Sequence, residues 1–255
     1  MKFTKPHFIA SVSDEAQEQK KLLISKYGDF DANDSDIFIV LGGDGFMLQA
    51  IKDYMDKKNP FFGINYGSIG FLMNSVSNKD LLARLEKTQS VQLSPLIMTA
   101  YDQDDKFYSA KAINEVSLLR QTHQAAKLKV SIDDQVRLDE LICDGILLAT
   151  PSGSTAYNLS AHGPILSIES NDLALTPISA FRPRRWKGAI LNNKSVVKLE
   201  ILENNKRPVS ASADNLEVRN VKSISIQQDL SSKIILLYDS DHSFEDRILN
   251  EQFKY

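Results

Sequence analysis

Along the first ninety residues, apolar runs alternate with amphipathic stretches. Residues 8–12 read as a short strand. Residues 14–26 have helical spacing, with acids early and lysines later, the order that suits the helix dipole. Residues 37–41, Ile-Phe-Ile-Val-Leu, are apolar without a break and rich in β-branched side chains, which marks a strand covered on both faces. The pattern predicts a helix over 46–57 and a strand over 61–64. Ser77, followed three residues on by Asp80, reads as a capping box for a helix through Lys87. Strands alternating with helices build βαβ units around a mostly parallel sheet.

From about Val91 the texture changes to short alternating runs: 127–132, 196–202, 221–226 and 233–238. Turn-prone segments such as Asp133-Asp134 and Glu203-Asn204-Asn205 separate them. The expected architecture is therefore α/β followed by all-β. A Rossmann-like α/β domain occupies 1–90, and an antiparallel β-sandwich occupies 91–242. The tail, 243–255, has helical spacing and is expected to fold back on the first domain. No internal repeat or low-complexity segment interrupts this plan.

Composition narrows the function. The 255 residues are 42% hydrophobic and 25% charged, the balance of a globular protein with enough apolar material for a core. A formal net charge of −3 leaves no electrostatic footprint for nucleic acid. The densest basic stretch, 182–187, is short and set among prolines and a tryptophan. Cys143 is the single cysteine, so no disulfide can form within the chain. In its apolar run, Leu141-Ile142-Cys143, it reads as a small buried hydrophobe rather than a nucleophile. The opening ten residues lack the apolar core of a signal peptide, and no apolar run is long enough to span a bilayer. A cytoplasmic protein without membrane association is expected.

Three segments carry candidate chemistry. Gly42-Gly43-Asp44-Gly45 follows the buried strand and precedes a helix. Its glycines let the backbone approach a ligand, and the helix N-terminus favours an anion. Asp44 would project from the carboxyl end of a parallel strand, where open α/β sheets bind ligands. A glycine turn whose aspartate only caps the helix is the plain alternative. The second segment runs from Asp144 to Ser160: an apolar strand into Pro151, small hydroxyl residues around Gly153, and a helix near Thr155. Its hydroxyls can donate to a phosphorylated or flat ligand, and Tyr157 can stack on a base or bond a ribose. A Ser/Thr-rich turn with an N-cap would look similar. The third is Asn114-Glu115, an amide beside a carboxylate, able to fork onto ribose hydroxyls or to close a strand.

Together these segments resemble the bacterial NAD kinase family. The likeness rests on Gly42-Gly43-Asp44-Gly45, on Gly63-Ile64-Asn65 with Gly67, Gly70 and Phe71, on Asn114-Glu115, and on Asp144 to Ser160. It covers roughly residues 36–240. The first motif is shared with lipid kinases and phosphofructokinases; Thr-Pro-Ser-Gly-Ser-Thr-Ala-Tyr is close to diagnostic. The resemblance implies NAD bound between the two domains and phosphorylated by ATP on the 2′-hydroxyl of its adenosine ribose, giving NADP. It implies Mg²⁺ or another divalent cation travelling with ATP, polyphosphate as a donor in some members, and a homodimer or homotetramer.

By the same resemblance, Asp44 engages the 2′-hydroxyl, Gly42 and Gly43 form the phosphate loop, and Gly45 and Phe71 adjoin the dinucleotide. Asn114 and Glu115 hold ribose hydroxyls, and Asp144 lies at the nicotinamide end. Ser152, Thr155, Ala156, Tyr157, Asn158 and Ser160 line the adenine and ribose pocket, while Ser179 and Asn215 touch ligand from the same or a neighbouring subunit. No protein metal cage is expected.

The chain departs from the family pattern at three places. Phe46 stands where threonine is usual, removing a hydroxyl near the phosphates. His162 replaces a common glycine and reads as a loop histidine. Residues 177–186 follow a version associated with a proteobacterial branch. Two rival readings are weaker: a lipid or sugar kinase built on the same glycine–aspartate turn, for which no apolar acceptor tunnel or membrane-facing basic patch is evident, and a non-catalytic NAD(P) sensor, supported by Phe46 alone.

Overall fold

The computed structural model describes residues 3–67 and 70–240. The chain divides into two compact units, one made of residues up to Leu93 and again from Ser232, the other of Ser94–Ser231.

The first unit opens with β1 (Pro6–Ala10), α1 (Asp14–Tyr27), β2 (Ile37–Gly42) and α2 (Asp44–Tyr54). A 3-10 turn, Met55–Lys57, leads into β3 (Phe61–Asn65), α3 (Leu81–Leu85) and β4 (Gln89–Leu93). β1 begins and ends two residues earlier than its apolar pattern suggests, because Val12 is 98% exposed and packs on nothing. α1 has Asp14 and Glu15 in its first turn and Lys26 in its last, and closes on Gly28 at φ 75°.

Every residue of β2 is buried, as an uninterrupted apolar run demands. Ile37, Ile39 and Leu41 share one cluster with Ala16, Leu23 and Ile24 of α1 and with Leu81 and Leu85 of α3. Phe38, on the opposite face, packs against Phe61 and against Tyr54 at the end of α2. The capping reading at Ser77 needs correction. Asp80 is the N-cap of α3, its Oδ2 accepting from Ala83 N–H at 3.2 Å. Ser77 Oγ accepts from Lys79 N–H instead, so the helix starts later and is shorter than expected.

The second unit is built from twelve strands. The first six are β5 (Leu96–Asp102), β6 (Phe107–Ala112), β7 (Glu115–Arg120), β8 (Ala126–Ile132), β9 (Gln135–Cys143) and β10 (Gly145–Ala149). After a short helix, α4 (Tyr157–Ser160), come β11 (Asp172–Ile178), β12 (Ala189–Asn192), β13 (Val197–Ile201), β14 (Val209–Ala213), β15 (Leu216–Val218) and β16 (Val221–Gln228). They form two antiparallel six-stranded sheets, ordered β6-β5-β16-β13-β8-β9 and β12-β11-β10-β7-β14-β15. Alternate residues of both sheets enter one cluster, from Leu96 and Met98 through Val116 and Ile146 to Leu199 and Ile226. This is the sandwich that period-two patterning implies.

The chain then returns to the first unit. β17 (Ile234–Tyr238) inserts between β3, to which it runs parallel, and β4, to which it runs antiparallel, giving the order β1-β2-β3-β17-β4. Residues 233–238, expected among the alternating strands of the second half, are apolar without a break from Ile234 to Tyr238, as a strand inside a parallel sheet is; their pairing partners lie more than 140 residues back, where no local pattern reaches. The expected helix in 243–255 falls outside the described residues.

Candidate functional site

In the first unit, Asp44 is the opening residue of α2, two residues beyond Gly42, the last buried position of β2. Gly43 is its N-cap, in extended conformation at φ −111°. Both carboxylate oxygens are held by the loop that follows β3. Oδ2 accepts from Phe71 N–H at 2.6 Å and Oδ1 from Leu72 N–H at 2.9 Å. That approach needs Gly70, where a Cβ would lie 2.3 Å from Asp44 Oδ1. Beside the acid, a Cβ on Gly45 would meet no atom within 4 Å, so this stretch of backbone is open to a ligand. The structure thus brings Gly42, Gly43, Asp44, Gly45 and Phe71 together at the carboxyl end of the parallel strands, next to the positive end of an eleven-residue helix. Phe46 packs its ring over Gly42, where a Cβ would lie 2.9 Å from it.

In the second unit, β-ladder register places the remaining candidates. Glu115 opens β7 opposite Ala149, the last residue of β10, and Val116 lies opposite Ala213, the last of β14. The ends of these three strands therefore gather Asn114, Glu115, the turn from Thr150 to Thr155, and Asn215. The turn is bound closely to Asn114: Thr150 N–H donates to its carbonyl at 2.9 Å, and a Cβ on Gly153 would sit 2.1 Å from the same oxygen. Thr150 Oγ1 donates to Ile113 O at 2.7 Å, as does Ser152 Oγ at 3.2 Å. Thr155 Oγ1 donates back to Ser152 O. Asn158 is fully buried; its amide donates to Ser154 O and Pro164 O, and its Oδ1 accepts from Thr176 Oγ1 at 2.7 Å. The hydroxyls of Ser152 and Thr155 and the Asn158 amide therefore shape the turn, while Ala156 and Tyr157 stay half-buried and Ser160 exposed.

Against this saturated backbone, two acceptors stand out. Asn114 Oδ1 and Glu115 Oε2 are buried and have no hydrogen-bond partner. An unpaired buried acceptor is costly, and two on neighbouring side chains point to donors that arrive with a ligand. Burial first, and the charge of Asp214 second, push the Glu115 carboxyl up to about 7.

Asp144 and Ser179 lie at the opposite end of β10. Gly145 pairs with Leu119 and with Ile178, so five residue steps of strand, about 17 Å, separate Asp144 from Ala149 at the Glu115 end. Asp144 Oδ1 accepts from Arg120 Nε at 2.5 Å. Ser179 is exposed at φ 50°. Tyr157 packs against the buried cluster of Leu147, Ala149, Leu166 and Ala174. Burial raises its phenol, and the charges of Glu115 and Asp144 raise it further, so it stays protonated and able to donate. His162 is an exposed loop residue at φ 61°. Burial pushes the Cys143 thiol up to about 12, which leaves it without nucleophilic character.

Sequence reasoning passed over Asn74, Arg120 and Asp214. Asn74 is fully buried and ties β3 to β17, donating to Gly63 O and Leu237 O at 3.0 Å each. Asp214 anchors the Asn114-Glu115 backbone from the β14–β15 turn. The signal was present only for Asp214, next to the Asn215 already singled out. Among the described residues no group of three or more His, Cys, Asp or Glu is placed to hold a metal, and no helix is long and apolar enough to cross a membrane.

Residues 2–89 match the model of the ATP-NAD kinase N-terminal domain, and residues 113–228 that of the ATP-NAD kinase C-terminal domain. The chain is 51% identical over 252 residues to an NAD kinase of Rhizobium meliloti, covering 99% of this chain and 98% of that one. It is 49% identical over 249 residues to an NAD kinase of Brucella suis, covering 98% and 97%. Among solved structures, yeast NADH kinase complexed with NADH superposes with a TM-score of 0.77 at 19% identity, covering 98% of this chain and 87% of that one. An NAD kinase from Archaeoglobus fulgidus in complex with ATP superposes at 0.76 and 20% identity, covering 97% and 98%. The two structural likenesses speak for the fold.

Proposed function

The chain belongs to the ATP-NAD kinase family, whose members phosphorylate NAD, and from that premise we propose that Asp44 is its catalytic carboxylate. Asp44 takes the proton of the 2′-hydroxyl on the adenosine ribose as the oxygen attacks the terminal phosphorus of ATP. The new P–O bond forms to the ribose, the bond to the bridging oxygen breaks, and ADP leaves with its electron pair. The transition state of such a transfer is loose, so orientation and charge neutralisation matter more than base strength.

The observation that carries this reading is the fixing of the acid. Two backbone N–H groups hold its carboxylate beside an open glycine at the carboxyl end of a buried parallel strand. We assign Gly42 and Gly43 to the phosphates, Gly45 and Phe71 to the neighbourhood of the dinucleotide, and the unpaired oxygens of Asn114 and Glu115 to ribose hydroxyls. Tyr157, Ala156 and Ser160 offer contact to the base and sugar. Ser152, Thr155 and Asn158 act by shaping the turn, and Asp144, Ser179 and Asn215 serve the remaining ligand contacts. Mg²⁺, a hard cation that favours oxygen ligands, would be carried by the donor phosphates. Polyphosphate as an alternative donor, a homodimeric or homotetrameric state and a cytoplasmic setting are part of the same proposal.

The test is incubation with NAD and Mg-ATP, followed by an NADP-specific dehydrogenase readout. Asp44→Asn should retain NAD binding and lose at least about a hundredfold in turnover, the scale of general-base assistance. Near-normal turnover in that variant would remove Asp44 from the chemistry. Tight NADP binding without ATP consumption by the unaltered protein would favour a sensor.

A further inference from the structure

Asp214 and Asn215 form the turn between β14 and β15, with Asp214 at φ 48°. Across a hundred residues, its carboxylate accepts three successive backbone N–H groups: Ile113 at 2.8 Å, Asn114 at 3.0 Å and Glu115 at 3.3 Å. Its own N–H donates back to the Glu115 carbonyl at 3.1 Å. The carbonyls of Ile113 and Asn114 are meanwhile taken by Thr150 and Ser152. The backbone of 113–115 is thus fixed on both its donor and acceptor sides. Within this segment the buried side-chain atoms left without a partner are Asn114 Oδ1 and Glu115 Oε2.

We infer that Asp214 is a positioning residue for the dinucleotide: without touching it, Asp214 fixes the segment from which Asn114 and Glu115 present their acceptors. The inference rests on the assignment of those acceptors to ribose hydroxyls. It accounts for an arrangement that packing alone does not require. A carboxylate is placed against three amides next to a second carboxylate, where a neutral acceptor would avoid the repulsion. The charged form binds the amides more strongly than a neutral group would. It also gives the subsite a proton linkage. The titratable groups facing Glu115 are Asp214 from the β14–β15 turn and Tyr157 from α4, and Asp214 adds to the burial that raises Glu115. A ribose hydroxyl donates best to the ionised carboxylate, so the KM for NAD should fall as pH rises through about 7.

The experiment measures KM and kcat for NAD between pH 5.5 and 8.5 in the full chain, for the unaltered protein and for Asp214→Ala, Asp214→Asn and Glu115→Gln. In Asp214→Ala the KM should rise about tenfold, the scale of one charge-assisted hydrogen bond, and kcat should change less. Asparagine keeps an oxygen for the amides and removes the charge. It should restore most of the KM and move the midpoint of the pH profile to lower pH. A purely structural Asp214 would lower thermal stability and leave the KM for NAD of the folded Asp214→Ala variant unchanged, which would overturn the inference. Should Asp214→Ala fail to fold, the Asp214→Asn profile decides alone. Glu115→Gln separates the two levels of the argument. If it leaves KM and the pH step unaltered, the ribose assignment itself falls. If it changes them while Asp214→Asn does not, only the role of Asp214 falls.

Discussion

Replacing Glu115 by glutamine should stabilise the ligand-free protein at high pH and much less at low pH. Burial and the charge of Asp214 hold Glu115 at about 7 against an ordinary 4.5. In the unfolded chain the same group ionises near its ordinary value. Between those two points the native state keeps a proton that the unfolded state has lost, so native stability declines as pH climbs through the window. The favourable contribution is complete below about 4.5 and gone above about 7. At about 1.4 kcal/mol per pH unit of displacement, the ionised side chain costs the fold at most about 3 kcal/mol. Glutamine has the same shape and no ionisation, so it escapes that cost. For a chain of this size each kcal/mol moves the melting temperature by roughly 2–4 °C. The gap between variant and unaltered protein should widen to roughly 6–12 °C by pH 8 and shrink toward pH 5. Scanning calorimetry at constant ionic strength, without nucleotide, measures it. A gap that stays constant from pH 5 to pH 8 would refute the reasoning, because a fixed offset reports only the neutral fit of the amide.

Three further outcomes follow from close approaches and buried charge. Gly70→Ala puts a methyl group 2.3 Å from Asp44 Oδ1; it should cost about 1–3 kcal/mol in urea unfolding and depress turnover, and an unaffected kcat would show that the acid works from another position. Gly153→Ala meets the Asn114 carbonyl at 2.1 Å, so the KM for NAD should rise together with a loss of stability, and a change in stability alone would detach the turn from binding. Arg84 is buried, its Nε donating to Asp239 Oδ1 at 2.6 Å beneath the Phe62 ring. Arg84→Met leaves the Asp239 charge without its partner and should cost about 3–5 kcal/mol; a loss below about 1 kcal/mol would mean that solvent already screens the pair.

Much of the fold was legible because its signals are local. The unbroken apolar run at 37–41 could only be a doubly covered strand, and the glycines after it fixed where an acid would emerge. The alternating runs of the second half announced two sheets facing one core. What stayed hidden depends on residues far apart in the chain. β17 is an unbroken apolar run, Ile-Ile-Leu-Leu-Tyr, which marks a covered strand, but nothing near it reveals that β3 and β4 are its partners. Asn74 looks like any loop asparagine until Gly63 and Leu237, 163 residues beyond it, converge on its amide. Asp214 likewise acts on amides a hundred residues earlier. At the candidate site, the sequence marked Ser152, Thr155 and Asn158 as polar groups near a ligand. It could not reveal that each is already bonded within its own turn.

The placement of β17 has a consequence for synthesis on the ribosome. Ser94–Ser231 is one continuous segment, and every strand of its two sheets is available once Gln228 has emerged. The parallel sheet must wait longer. Until residues 234–238 are made, β3 offers an open edge and β4 has no neighbour to join. A nascent chain stalled before that point would present an unpaired row of amides and carbonyls along β3, buried at four of its five positions in the finished fold, the kind of surface that recruits chaperones or other chains.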